Sequence, residues 1–233
     1  NFYLSKLSAC GSNVVWISGA DGVVLRTADG GQTWQNRSPT GYTNFFQGIT
    51  ALDAEHCWVA GHNQDGYAPI LCTTNGGLTW VRQSGGAATN IVNILSIGAA
   101  DSRILWAVGF KGISEGMVII STNGGATWET QYNALYHANE LSIVNTARVY
   151  VAIDSYVTRS VDGGQSWNQV GEISTAYATM GICVPDGSNA WAVSDNWGGG
   201  FIYHFPAGGD EWVEQTPTGG VAGLAYVSFA RVA

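Results

Sequence analysis

The stretch Thr27-Ala28-Asp29-Gly30-Gly31-Gln32-Thr33-Trp34 decides the fold, because it returns three more times. The copies are Thr73-Thr74-Asn75-Gly76-Gly77-Leu78-Thr79-Trp80, Ser121-Thr122-Asn123-Gly124-Gly125-Ala126-Thr127-Trp128 and Ser160-Val161-Asp162-Gly163-Gly164-Gln165-Ser166-Trp167. A reduced fifth copy keeps Gly208-Gly209 and Trp212. Asp29, Asn75, Asn123 and Asp162 can bond the local backbone and open a turn, the glycine pair supplies positive φ, and the Thr or Ser hydroxyl bonds back across it. The product is a tight hairpin. The tryptophan that follows (Trp34, Trp80, Trp128, Trp167) enters the next strand and offers roughly 150 to 250 Å² for burial between neighbouring sheets.

The tryptophans are separated by 46, 48, 39 and 45 residues, the length of one four-stranded propeller blade. A second aromatic series, Trp16, Trp58, Trp106, Tyr150 and Trp191, sits in short apolar runs such as Cys57-Trp58-Val59-Ala60-Gly61. Alternating segments such as Ile94-Leu95-Ser96-Ile97 precede these runs, and apolar runs such as Val118-Ile119-Ile120 follow them. Each unit therefore reads as strands A, B and C, the hairpin, and strand D. The expectation is one all-β domain over 1–233, a β-propeller of four-stranded antiparallel blades, five in number. The units fall at about 1–40, 41–87, 88–135, 136–173 and 174–218. The segment Leu224 to Val232 repeats the pattern of Leu141 to Val149, so 219–233 reads as a ring-closing or extra strand.

These four hairpins resemble the Asp-box, or BNR, repeat of sialidases, sortilin-type receptors and xyloglucan-active glycosidases. With Trp-Ala-Val-Gly on strand B, the chain is most similar to photosystem II stability and assembly factor-like propellers. The resemblance covers nearly the whole sequence and implies the propeller fold, commonly with six or seven blades. It also implies that the hairpin is structural and lies away from the active centre, and that a partner protein is held.

Composition sets limits on function. With 45% hydrophobic and 11% charged residues the chain can bury a core, which excludes an acidic, aromatic-poor disordered protein. Its net charge is −8, and the nine Lys and Arg form no run that could neutralise a line of phosphates, so nucleic acid is excluded as a partner. No apolar stretch reaches the ~18 to 20 residues of a membrane helix. The chain opens on Asn1, which reads as a processed or excised segment, and a secreted, extracellular or periplasmic location is expected. Cys10, Cys57, Cys72 and Cys183 lack the close pairing of a zinc site, and His56, His62, His137 and His204 fall in different units. No metal and no cofactor is expected. The cysteines form either one or two disulfides, Cys57 with Cys72 and Cys10 with Cys183, or four buried thiols.

Ligands of propellers gather where the B-to-C and D-to-A connections surround the channel mouth. Trp197 belongs to neither aromatic series and stands beside Asp195 and Asn196 in a glycine-rich B-to-C loop. A ring flanked by such groups suits stacking on a sugar or anchoring a protein. His62, Tyr67, Tyr136, His137 and Tyr156 share this expected face. The B-to-C loop of blade three reads as Phe110 to Gly116. No catalytic residue is assigned: Arg26 and Arg159 occupy one repeat position on the opposite face, so the arginine cluster of a sialidase cannot assemble. The reading is a non-catalytic binding or scaffolding propeller for a glycan or a protein surface. The alternatives are a glycoside hydrolase using two of Glu115, Glu140, Asp154, Glu172 and Asp195, and a structural subunit of a surface assembly.

Overall fold

A computed structural model describes residues 3–62, 68–89, 91–154, 156–173, 178–195, 199–209 and 211–217. They form five four-stranded antiparallel sheets whose strands follow chain order. Blade one holds β1 (Leu4–Cys10), β2 (Val14–Gly19), β3 (Val24–Thr27) and β4 (Gln35–Asn36). Blade two holds β5 (Phe46–Ala51), β6 (Cys57–Gly61), β7 (Ile70–Thr73) and β8 (Val81–Arg82). Blade three holds β9 (Asn93–Ala99), β10 (Leu105–Lys111), β11 (Glu115–Ser121) and β12 (Glu129–Ala134). Blade four holds β13 (Ala138–Ile143), β14 (Val149–Ile153), β15 (Tyr156–Ser160) and β16 (Asn168–Glu172). Blade five holds β17 (Ala178–Cys183), β18 (Ala190–Asp195), β19 (Gly200–Phe205) and β20 (Val213–Glu214). The chain is an all-β, five-blade propeller. The segment 219–233 lies outside the described residues.

The repeated hairpin is built the same way four times. In blade one the Thr27 hydroxyl donates to Asp29 Oδ1 at 2.7 Å and accepts from Gly31 N at 3.0 Å, while Thr33 N donates to Asp29 Oδ1 at 2.9 Å. Ser121, Asn123, Gly125 and Thr127 reproduce the set at 2.9, 2.8 and 2.9 Å. Only the last bond changes direction: the Thr33 hydroxyl donates to Asp29, whereas the Thr79 and Thr127 hydroxyls accept from Asn75 and Asn123. Both turn glycines are left-handed, as at Gly30 (φ 71°) and Gly31 (φ 88°), where a side chain would strain the backbone. The first glycine of each turn also donates its N–H to the A-to-B turn of its own blade, Gly30 to Asn13, Gly76 to Glu55, Gly124 to Arg103 and Gly163 to Ala147. The C-to-D hairpins and A-to-B turns therefore share one face.

Four apolar cores lie between successive blades. Each joins the strand-B aromatic of one blade to the strand-D tryptophan of the next: Trp16 with Trp80, Trp58 with Trp128, Trp106 with Trp167, and Tyr150 with Trp212. Trp16 meets Trp80 edge to face at 6.2 Å and Trp106 meets Trp167 at 6.0 Å, a geometry adding about 0.5 to 1.5 kcal/mol beyond area burial. Blade one has no such neighbour in front of it among the described residues. Leu7 is 63% exposed, although its register equivalents Ile49, Ile97, Leu141 and Ile182 are at most 8% exposed. Trp34 is 43% exposed where Trp128 is 1%.

All four cysteines are free thiols, which corrects the disulfide alternative. Trp58 pairs with Cys72 and Cys57 with Thr73 across β6 and β7, so Cys57 and Cys72 point to opposite faces of their sheet. They belong to different cores. Cys10 directs its thiol to the Ala51 carbonyl of blade two at 3.2 Å. Burial pushes Cys72 up to about 11 and Cys57 well above the ordinary thiol range.

The hairpins predict how stability varies with pH. Bonds from the Thr33 hydroxyl and backbone hold Asp29 down to about 2 from an ordinary 3.8, and those of Ser166 hold Asp162 likewise. A depressed carboxylate contributes stability that is complete above its unfolded value and lost as pH falls through the folded one. The midpoint of thermal unfolding should therefore drop between about pH 4 and pH 2. The double variant Asp29→Asn, Asp162→Asn, which copies blades two and three, should fold at neutral pH and lose part of that acid sensitivity.

Candidate binding face and channel

The face opposite the hairpins is shaped by the junction of blades three and four. Strands β10 and β11 run on through Phe110, Lys111 and Glu115, so the expected loop from Phe110 to Gly116 shortens to residues 112–114. Lys111 and Glu115, paired across the hairpin at 3.2 Å, hold the extension, and Gly112 (φ 64°) turns it. A Cβ on Gly116 would stand 2.1 Å from the Tyr136 carbonyl, so only glycine lets residues 135–137 pack on the hairpin. His137 then stacks on Phe110 at 4.2 Å and its Nε2 bonds the Ile113 carbonyl at 2.9 Å. That clamp leaves Ile113, Leu135 and Tyr136 outside, exposed by 95, 81 and 51%. Three exposed apolar side chains on a pinned backbone form a surface suited to an apolar partner.

Other expected residues gather near it or fall elsewhere. Tyr156 is the first residue of β15 and not a loop residue; burial, then contact with the Tyr132 hydroxyl, raises its phenol above the ordinary value. His62 bridges to Asn93, which pairs with Phe110, so its backbone reaches the same junction. Asp195 ends β18 opposite Gly200 and Ala178. Tyr67, Asn196 and Trp197 lie outside the described residues.

The sequence reading missed a polar bridge inside the channel. Every inner strand carries a one-residue bulge at the same place, skipping Ser5, Gln47, Leu95, Asn139 and Met180. The residues after the bulges are Lys6, Gly48, Ser96, Glu140 and Gly181. Lys6 of blade one reaches Glu140 Oε2 of blade four at 2.5 Å and Ser96 Oγ of blade three at 3.1 Å, and Ser96 donates to Glu140 Oε1 at 2.5 Å. The bridge crosses a cavity of about 700 Å³ whose walls combine the apolar side chains of Leu4, Ile17, Ile49, Ile97, Leu141 and Ile182 with the hydroxyls of Ser5, Thr50 and Ser142.

This bridge also bears on the carboxylate-pair reading. Glu140 is held by Lys6, Glu115 by Lys111, and Asp154 accepts from Asn139 Nδ2 at 3.2 Å. Two of these three acids are thus in ion pairs, and the third is hydrogen-bonded to a neutral amide. Among the described residues no cluster of three His, Cys, Asp or Glu could hold a metal ion, and no helix is long and apolar enough to cross a membrane.

No family model and no curated protein matches the chain. Solved structures do match. YCF48 bound to a D1 peptide superposes with a TM-score of 0.66 at 18% identity, over 91% of this chain and 66% of that one. An ancestral GH74 enzyme gives 0.73 at 16% identity, over 92% of this chain and 31% of that one. The GH74 xyloglucanase from Xanthomonas campestris gives 0.71 at 15%, over 94% and 39%. The likeness is one of fold. This chain spans less than two thirds of the YCF48 chain and well under half of either glycosidase.

The channel bridge yields a stability prediction. Glu140→Ala removes the counter-charge of the part-buried Lys6 ammonium, which keeps only Ser96, and should cost about 1 to 3 kcal/mol in denaturant unfolding. Lys6→Met together with Glu140→Leu should recover most of that loss, since no charge is then left unpaired.

Proposed function

We propose that this propeller is a non-catalytic binding module that recognises a protein segment on the face formed by the B-to-C and D-to-A connections. One observation carries the reading: Ile113, Leu135 and Tyr136 are solvent-exposed on a backbone fixed by the His137 to Phe110 stack and the His137 to Ile113 bond. Exposed apolar side chains on a rigid support lose little entropy when a partner covers them. The YCF48 structure, which holds a peptide on the same fold, supports a peptide partner. The four hairpins fit the Asp-box reading, in which the turn is scaffold and the ligand lies elsewhere. The ion pairs that hold Glu115 and Glu140 favour binding over hydrolysis by these two carboxylates.

Parallel peptide and glycan arrays probed with the wild-type chain and with Leu135→Asp test the proposal. The expected result is selective binding to apolar-rich peptides, reduced about tenfold or more in the variant, with unchanged thermal stability. Binding confined to glycans, or peptide binding indifferent to Leu135, would overturn it.

A further inference from the structure

On the hairpin face, each blade interface brings two repeat positions together. The first is the strand-C residue opposite the strand-B aromatic: Arg26 faces Trp16, Cys72 faces Trp58, Ile120 faces Trp106, and Arg159 faces Tyr150. The second lies in the A-to-B turn of the next blade, two residues after its turn-forming Asp or Asn: Glu55 after Asp53, Arg103 after Asp101, Ala147 after Asn145 and Ser188 after Asp186. Only two of the four interfaces place an arginine at the first position.

Those two differ in what surrounds the arginine. Between blades one and two, Arg26 lies over Trp16 at 5.5 Å and has the Glu55 carboxylate at 3.9 Å, so the interface supplies its own counter-charge. Between blades four and five, the residue in the place of Glu55 is Ser188, and Gly187 replaces Ala54. Arg159 is held through its backbone between Tyr150 and Asn168, and its guanidinium makes no ion pair or hydrogen bond among the described residues. A cleft of about 340 Å³ opens there, and Arg148 and Arg159 both line it with Ser188, Gly208 and Gly209. Arg148 is fixed by a 3.0 Å bond to the Gly187 carbonyl, which leaves its other N–H groups free to donate. A Cβ on Gly187 would stand 3.0 Å from that guanidinium, so glycine keeps the cleft open. Tyr150, Val161 and Phe205 give the cleft apolar walls.

We propose that this cleft is a carboxylate-binding site, in which an acidic side chain of a peptide or protein partner takes the place that Glu55 fills between blades one and two. Two guanidinium groups give the planar, multidentate donor set that carboxylates match. The apolar walls accommodate the aliphatic stem of a glutamate. The site stands on the face opposite Leu135 and does not rest on the apolar surface there.

Arginine side-chain Nε resonances, followed by NMR at constant ionic strength, provide the test. The probes are acetyl-Ala-Glu-amide, its neutral isostere acetyl-Ala-Gln-amide, and inorganic phosphate. The glutamate peptide should shift the Arg148 and Arg159 signals saturably, with the isostere at least about tenfold weaker and phosphate weaker than the glutamate peptide. Ser188→Glu changes an exposed residue and restores the counter-charge, so it should abolish the response while leaving the thermal midpoint equal or higher. Arg159→Gln should abolish it as well. Equal shifts by the isostere, shifts spread over all arginines, a full response in Ser188→Glu, or tighter binding of phosphate would each overturn the assignment.

Discussion

The structure depends on one contact repeated from blade to blade: a tryptophan at the start of strand D inserted against the strand-B aromatic of the blade before it. Trp80, Trp128, Trp167 and Trp212 all do this. The hairpin places the ring, because the clamp around Asp29 or its equivalent fixes where strand D begins. Indole N–H groups reinforce the joint, Trp80 donating to the Arg37 carbonyl of blade one and Trp212 to the Val170 carbonyl of blade four. Glycine makes the approach possible, since a Cβ on Gly125 or Gly164 would press on Trp58 or Trp106. Hairpin chemistry, ring placement and interface packing are one constraint seen at three scales.

That constraint divides the molecule into a regular side and a variable one. On the hairpin side four blades repeat one hydrogen-bonded turn, and exchanges in the adjoining A-to-B turns, such as Ser188 for Glu55 and the left-handed Gly187 for Ala54, change the charge and opening of the cleft between blades. On the other side the connections differ, and the blade three hairpin grows long enough to carry Ile113 outward. Between them the channel is crossed by the bridge of Lys6, Ser96 and Glu140, and the equivalent positions of blades two and five are the glycines Gly48 and Gly181.

The sequence made the fold legible because both of its signals are local. Eight residues specify a hairpin whatever surrounds them, and the aromatic spacing counts the blades. Features that depend on register were hidden. The inner-strand bulge adds one residue without disturbing the apolar pattern, so nothing showed that Lys6 and Glu140 occupy one level of the channel, 134 residues apart. The same ignorance of register left a bond between Cys57 and Cys72 conceivable, although pairing of Trp58 with Cys72 sends the two thiols to opposite faces. The face carrying Tyr136 and His137 was readable from topology, but the Phe110 to His137 stack was not, because it depends on how closely Gly116 lets the next connection approach.

Hydroxyl-radical footprinting of the folded chain, read residue by residue at its tryptophans, tests the interlock most directly. The account predicts that Trp16, Trp106 and Trp128 are protected and that Trp34, whose ring has no preceding blade against it among the described residues, is oxidised far faster. Oxidation of Trp128 at the rate of Trp34, or protection of Trp34 equal to that of Trp128, would contradict it.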